Sequence, residues 1–349
     1  MLKSCAVGLE ILQIDAIQNR RRYERPAANA RSRVSEGVIF PNEYTILDIA
    51  RRRSRRAAHT QGGCHDTAGR LIEEYRQHCL DADIPLEINT SVRPPDGDDS
   101  TLFISAGMQR FKPLFADESY VGTIANIQSC LRLNDLEEVG DGTHCLRFDM
   151  MGLFSFRQMS VADGIAFWHR YLRRVGITPT HVTVHPDKMA EWPDLHPADI
   201  EVRPDPDCTW SDGGTGGYCT EFYVGDIEIG NIVNPRGDCL DVGFGLQRLE
   251  HVLGEPPPVA VDLLRESITA ILDAGYMPGN KAQGYALRRL LRTLWRQSGT
   301  LDHPVFHAER RRQARLRQMY QRLAPRHPGM PAAWWFDTHG IVVADVEDA

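Results

Sequence analysis

From residue 100 to residue 245 the chain alternates short apolar runs with turn-forming residues. Leu102-Phe103-Ile104, Phe154-Ser155-Phe156, His181-Val182-Thr183-Val184 and Asp226-Ile227-Glu228-Ile229 are separated by Gly, Pro and Asp, a pattern that predicts a mainly antiparallel sheet. Helices are expected around Ala68 to Leu80 and around Val161 to Val175. Pro256-Pro257-Pro258 marks a boundary, because successive prolines donate no backbone hydrogen bonds and favour an extended linker. Beyond it, Leu287, Leu290, Leu291, Leu294 and Trp295 recur at helical spacing, with Arg288, Arg289, Arg292 and Arg296 on the remaining faces. The expected fold class is α+β: an antiparallel sheet flanked by helices, followed by a small helical domain. The arginine faces have two readings, phosphate contact or a solvated basic surface.

Composition narrows this picture. A chain of 349 residues with 42% hydrophobic and 25% charged residues can bury one sizeable core and a second, smaller one. No apolar run reaches the roughly 18 to 20 residues a membrane-spanning helix needs, and no apolar signal segment opens the chain. The expectation is a cytoplasmic protein with no membrane partner. The net charge of −7 is unevenly spread, with +6 over residues 1–60, −17 over 61–255 and +4 over 256–349. Three parts are therefore expected: an Arg-rich extension over 1–63, a catalytic domain over 64–255 and a helical domain over 256–349. The run Arg51, Arg52, Arg53, Arg55, Arg56 reads as a nucleic-acid-binding arm, or as a mobile tail or a start codon placed too far upstream. The eight cysteines form no CxxC pair and are expected to be reduced and structural.

The chain lacks a GxxxxGK[ST] phosphate loop, and Gly213-Gly214-Thr215-Gly216-Gly217 does not give GxGxxG after a strand. Three other blocks carry chemistry. The first is Gly107-Met108-Gln109-Arg110-Phe111-Lys112-Pro113-Leu114-Phe115, by itself an amphipathic stretch with core phenylalanines. The second runs from Gln128-Ser129-Cys130-Leu131-Arg132 through Asn134 to Gly140, and returns as His144-Cys145-Leu146-Arg147-Phe148 and Met150 to Phe156, reading as two antiparallel strands joined by a loop. The third is Asp241-Val242-Gly243-Phe244-Gly245-Leu246-Gln247-Arg248.

In this order the blocks resemble GMxxFKxxF, the arginine and HxxxF of the ATP-binding hairpin, and DxGxGLxR of the alanyl-tRNA synthetase family, class II aminoacyl-tRNA synthetases. Trp210 with the segment Gly213 to Glu221, Glu228 to Val233, Met277 to Arg292, and Phe336-Asp337-Thr338-His339-Gly340 extend the likeness from about Ala68 onward. The resemblance implies a class II synthetase-like sheet that binds ATP and a small amino acid, L-alanine foremost, with Mg2+ as cofactor. Arg132 would contact the α-phosphate and the substrate carboxylate, a task suited to a guanidinium that binds two oxygens at once. His144 would contact phosphate and Phe148 would stack on adenine. Arg248 would lie over adenine and reach the γ-phosphate, while Met108 and Gly245 complete the ATP site. Asp241 would pair with the substrate ammonium, with Trp210, Asn231 and Gly243 around the amino acid. Glu228 would hold magnesium; it and Asn231, three apart on a strand, share one ligand only if a twist or bulge intervenes.

The chain also departs from that family. The loop after Arg132 lacks the AGGKH insert and its lysine, the tryptophan before Asn231 is Gly230, and the glutamate before the last arginine is Gln247. No HxxxH with a downstream cysteine and histidine accompanies the core, so proofreading is not expected, and a small pocket rejects an added hydroxyl by only about 10²-fold. With the −17 charge, this leads to the expectation of aminoacyl-adenylate formation followed by transfer to an acceptor other than ribosomal tRNA, such as a small molecule or a carrier. The alternatives are a minimal alanyl-tRNA synthetase and an inactive tRNA-binding or regulatory paralogue. The acceptor, the choice among alanine, serine and glycine, and the oligomeric state are not legible.

Overall fold

The computed structural model describes residues 66–133, 136, 145–212 and 215–347. The extension 1–63, His144 and Gly213-Gly214 lie outside them. In chain order the described elements are α1 (Thr67–Asp81), β1 (Leu86–Asn89), a 3₁₀ turn (Gly107–Phe111) running into α2 (Lys112–Ala116), β2 (Gly122–Leu131), β3 (Arg147–Phe156), α3 (Val161–Arg174), β4 (His181–Val184), β5 (Glu201–Pro204), β6 (Thr209–Asp212), β7 (Thr215–Val224), β8 (Ile227–Val233), β9 (Cys239–Gly245), α4 (Leu246–Val252), α5 (Ala260–Asp273), α6 (Ala282–Arg296), α7 (Pro304–Leu323), α8 (Ala332–His339) and α9 (Val343–Glu347).

The two helices expected before residue 180 form within a residue or so of their predicted ends, because both carry their own start signals. Asp66 caps α1, its carboxylate accepting from Gly69 N at 2.9 Å. Ser160 and Asp163 form a reciprocal capping box at the start of α3. Each helix turns one aromatic stripe inward, with Tyr75 on α1 and Phe167, Trp168 and Tyr171 on α3 fully or almost fully buried.

That stripe lands on a sheet ordered β1-β2-β3-β9-β8-β7-β4-β5, with β6 paired to β7. Among the described strands only the β1–β2 and β4–β5 pairs are parallel, so the expected antiparallel character holds. Side chains alternate across each strand. Met151 and Leu153 of β3 and Val242 and Phe244 of β9 face α1 and α3 in the main core. The Trp168 and Phe244 rings stack at 4.0 Å with planes 10° apart, and Tyr75 stacks on Trp168 from the other side at 5.3 Å. The opposite face of the same strands is left for chemistry.

Leu102-Phe103-Ile104, expected as a strand, has no partner strand. It forms a loop whose Phe103 is buried in a second cluster with Leu131, Leu146 and the apolar faces of α5 and α6. The helical segment after the prolines therefore packs on the end of the β2–β3 hairpin. The α6 leucines are buried as the periodicity required, and the basic face divides: Arg289 and Arg296 are exposed, whereas Arg288 and Arg292 turn inward. Arg292 is buried, and Arg288, Arg292 and Arg312 converge on the buried Glu309 of α7 at 3.3, 3.9 and 3.2 Å. Among the described residues no helix is long and apolar enough to cross a membrane.

A buried polar chain ties α3 to β7. His169 Nε2 lies 3.1 Å from His196 Nδ1, and His196 Nε2 lies 3.2 Å from Thr220 Oγ1. Burial disfavours the imidazolium and pushes His169 down to about 4 and His196 down to about 3. Unfolded, both titrate near 6.5. Below that pH the unfolded chain takes up protons the native chain refuses, so their contribution to stability is intact above about pH 6.5 and declines as pH falls toward 4. Denaturant unfolding between pH 7.5 and 4.5 should register a fall of up to about 1.4 kcal/mol per pH unit per histidine. A flat profile through this range would contradict the burial of the pair.

Candidate active site

The face of the sheet turned away from α1 and α3 carries a cavity of about 280 Å³. Its floor is made by β3, β9 and β8. On β9 the two-residue period presents Asp241, Gly243 and Gly245 to the cavity, while Leu240, Val242 and Phe244 go to the core. On β3 the same period presents Phe148 and Met150. The glycines keep the floor low: a Cβ on Gly243 would sit 2.8 Å from Met150 Sδ. Just past β9, Arg248 projects from the first turn of α4 back over the floor.

Glu228 and Asn231 both line the cavity although they are three apart on β8. The condition they had to meet is met by a bulge. Phe222 of β7 pairs with Gly230 and Tyr223 with Glu228, which leaves Ile229 without an opposite residue and turned into the main core. The extra residue resets the alternation, so both polar side chains reach the same side.

Electrostatically the cavity opposes two guanidinium groups to three carboxylates. Arg132 stands at the end of the β2–β3 hairpin, its Nε donating to Ser105 O at 3.0 Å and its guanidinium 4.9 Å from the centre of the Phe148 ring. Arg248 Nη1 donates to both Glu228 O and Glu228 Oε2 at 2.9 Å. Asp241 is buried, and Glu221 of β7 completes the acidic set. Burial, with the charge of Glu228 beside it, pushes the Glu221 carboxyl above its ordinary range. Below the wall, Asp149 is buried and held by Ser129 Oγ at 2.7 Å and Arg147 Nη2 at 2.8 Å, while its backbone N–H donates to Gln247 Oε1 at 2.9 Å. Gln247 thus pins α4, and with it Arg248, to β3.

The structure brings Arg132, Phe148, Trp210, Glu228, Asn231, Asp241, Gly243, Gly245 and Arg248 to one cavity wall. Met108 does not line the cavity: it is buried beneath the wall with Phe111, Phe115, Phe154 and Phe156, where it supports the floor. His144 lies outside the described residues. Ala106, Cys145, Met150, Glu221 and Val233 also line the cavity and were not assigned from sequence. Met150 was within reach by counting two from Phe148; Ala106 and Cys145 come from loops, where no period applies.

Gly230, which stands where the resembled family has tryptophan, has no room for a side chain. A Cβ there would sit 2.4 Å from Phe244 Cγ and 2.6 Å from the backbone oxygen of Gly243. Gly230→Ala should therefore lower stability by about 1–3 kcal/mol through overpacking, read by denaturant unfolding. Unchanged stability would mean that β8 and β9 part without cost.

Residues 88–200 match the family model described as tRNA synthetases class II (A). The alanine–tRNA ligase of Chlamydia trachomatis serovar L2 is 30% identical over 279 residues, covering 57% of this chain and 32% of that protein. The chloroplastic/mitochondrial alanine–tRNA ligase of Populus trichocarpa is 27% identical over 345 residues, covering 73% of this chain and 35% of that one. The chain thus spans about a third of the length of the curated relatives it matches. Among solved structures, the pyrrolysyl tRNA synthetase PylSc of Desulfitobacterium hafniense aligns with a TM-score of 0.36 at 12% identity, over 69% of this chain and 83% of that one.

Proposed function

We propose that this chain, whose residues 88–200 match the class II (A) tRNA synthetase model and which is similar to alanine–tRNA ligases, activates a small amino acid, alanine foremost, with ATP. The observation that carries this reading is the convergence of residues from the β2–β3 hairpin, β6, β8, β9 and α4 on one cavity wall. An amino-acid carboxylate oxygen attacks the α-phosphorus, the bond from that phosphorus to the bridging oxygen breaks, and pyrophosphate leaves with the electron pair. The product is an aminoacyl-adenylate. Such a step asks a protein for positioning and for countercharge rather than for a nucleophile of its own.

The residues at the wall suit those tasks. Arg132 offers a planar fork able to hold substrate carboxylate and α-phosphate oxygens together and to balance charge as pyrophosphate departs. Phe148 offers a flat apolar face to the purine. Asp241 is a buried carboxylate for the substrate ammonium, and Trp210 bounds the space beside it. Arg248 exchanges its Glu228 partner for phosphate or purine. The oxygen donor of Glu228 fits a hard cation such as Mg2+, which when bound would offset charge between the ATP phosphates.

For the second half-reaction we propose a tRNA 3′ end, because the relatives that this chain matches are alanine–tRNA ligases. The acceptor expected from sequence, a small molecule or a carrier, draws no support from those relatives.

Amino-acid-dependent exchange of labelled pyrophosphate into ATP, run with all twenty amino acids, tests activation directly. Exchange is expected with alanine and to fall about 10²- to 10³-fold in Arg132→Ala. Arg132→Lys should recover little, since an ammonium cannot bridge two oxygens in one plane. Silence with every amino acid from natively folded protein would overturn the reading. Charging of alanine tRNA, assayed separately, decides the acceptor.

A further inference from the structure

One cluster beside the cavity has ligand chemistry that neither ATP nor the amino acid uses. Cys208 precedes β6 and Cys219 lies opposite it on β7: Cys219 N donates to Cys208 O at 3.0 Å, and their sulfurs are 3.1 Å apart. Glu221 is two residues further along β7 and so projects to the same face. Its Oε1 lies 3.9 Å from Cys219 Sγ. One ligand atom from each of the three residues falls within 4.8 Å of the others. Both cysteines are buried, while Glu221 reaches the cavity.

The cluster is short of positive charge. Glu221 accepts from Tyr223 Oη at 2.8 Å and Thr183 Oγ1 at 3.3 Å, and among the described residues no cation pairs with it.

We infer that Cys208, Cys219 and Glu221 form a three-ligand zinc site whose fourth position opens into the cavity. Two thiolates with one carboxylate select a borderline-soft ion over magnesium or calcium. Tetrahedral zinc places sulfurs about 3.8 Å apart and sulfur and oxygen about 3.5 Å apart. From 3.1 Å the sulfurs must separate by about 0.7 Å, and from 3.9 Å the carboxylate must close by about 0.4 Å, within the reach of side-chain rotation. Metal uptake releases the thiol protons, and stability then depends on zinc concentration. Three protein ligands and an open position characterise zinc that takes an exogenous ligand, for which imidazole serves as the probe. The site rests on these three side chains and not on the activation chemistry.

The test is the metal content of full-length protein from zinc-supplemented growth, by plasma mass spectrometry. About one zinc per chain is expected, lost in Cys208→Ser and Cys219→Ser and weakened in Glu221→Gln. Replacement by Co2+ should give thiolate-to-cobalt charge-transfer bands and tetrahedral d–d bands, and added imidazole should shift the d–d bands. Circular dichroism separates metal loss from misfolding, and Glu221→Gln, which keeps side-chain volume, serves where the serine variants do not fold. Absence of zinc after incubation with excess metal would overturn the site, as would a Cys208–Cys219 disulfide found by non-reducing thiol titration without bound metal. Cobalt bands indifferent to imidazole would overturn the open position. Pyrophosphate exchange on the same preparation reports separately on activation, so the two readings fail independently.

Discussion

Burial of one face of the central sheet under α1 and α3 is the constraint on which the rest depends. Trp168, stacked between Phe244 and Tyr75, fixes the side of β9 that must face inward. Once it does, the two-residue period leaves Asp241, Gly243 and Gly245 on the other side. A slip of one residue would bury Asp241 against tryptophan and expose Phe244 to the cavity. The polar floor is thus the complement of the apolar core, and the same packing that stabilises the sheet aims the chemistry.

The period alone would not have assembled the site. β8 needs an added residue at Ile229 to bring Glu228 and Asn231 to one side. Beside that bulge Gly230 presses so closely on Phe244 and the β9 backbone that no side chain fits. The departure from the family's tryptophan is therefore a packing requirement of this chain as well as a change in the wall of the cavity. Gln247 belongs to the same economy of space: by accepting from Asp149 N it couples the first turn of α4 to β3 and holds Arg248 over the floor.

Charge follows burial. The wall carries Glu221, Glu228 and Asp241 against Arg132 and Arg248, and Arg248 pairs with Glu228 at 2.9 Å. A similar arrangement recurs in the helical segment, where Arg288, Arg292 and Arg312 gather on one buried glutamate. Helical periodicity located Arg288 and Arg292, but could not know that α7 would set Glu309, with Arg312 beside it, against them.

The sequence by itself determined the local elements and the chemistry they carry. Capping at Asp66 and Ser160, the alternation in β3 and β9, the leucine spacing of α6, and the ordered blocks around Arg132, Asp241 and Arg248 are short-range features, readable because their causes lie within a few residues. Tertiary structure decided what depends on distant partners. Leu102-Phe103-Ile104 became a loop because α5 and α6 offer it a core and no strand offers it a ladder. Met108 went under the floor rather than into it because four phenylalanines from two segments close around it. Cys208 and Cys219, eleven residues apart with no metal-binding spacing, met because the β6–β7 hairpin folds one onto the other and brings Glu221 alongside. Proximity of that kind is set by strand register, and register depends on which faces the rest of the chain has already buried.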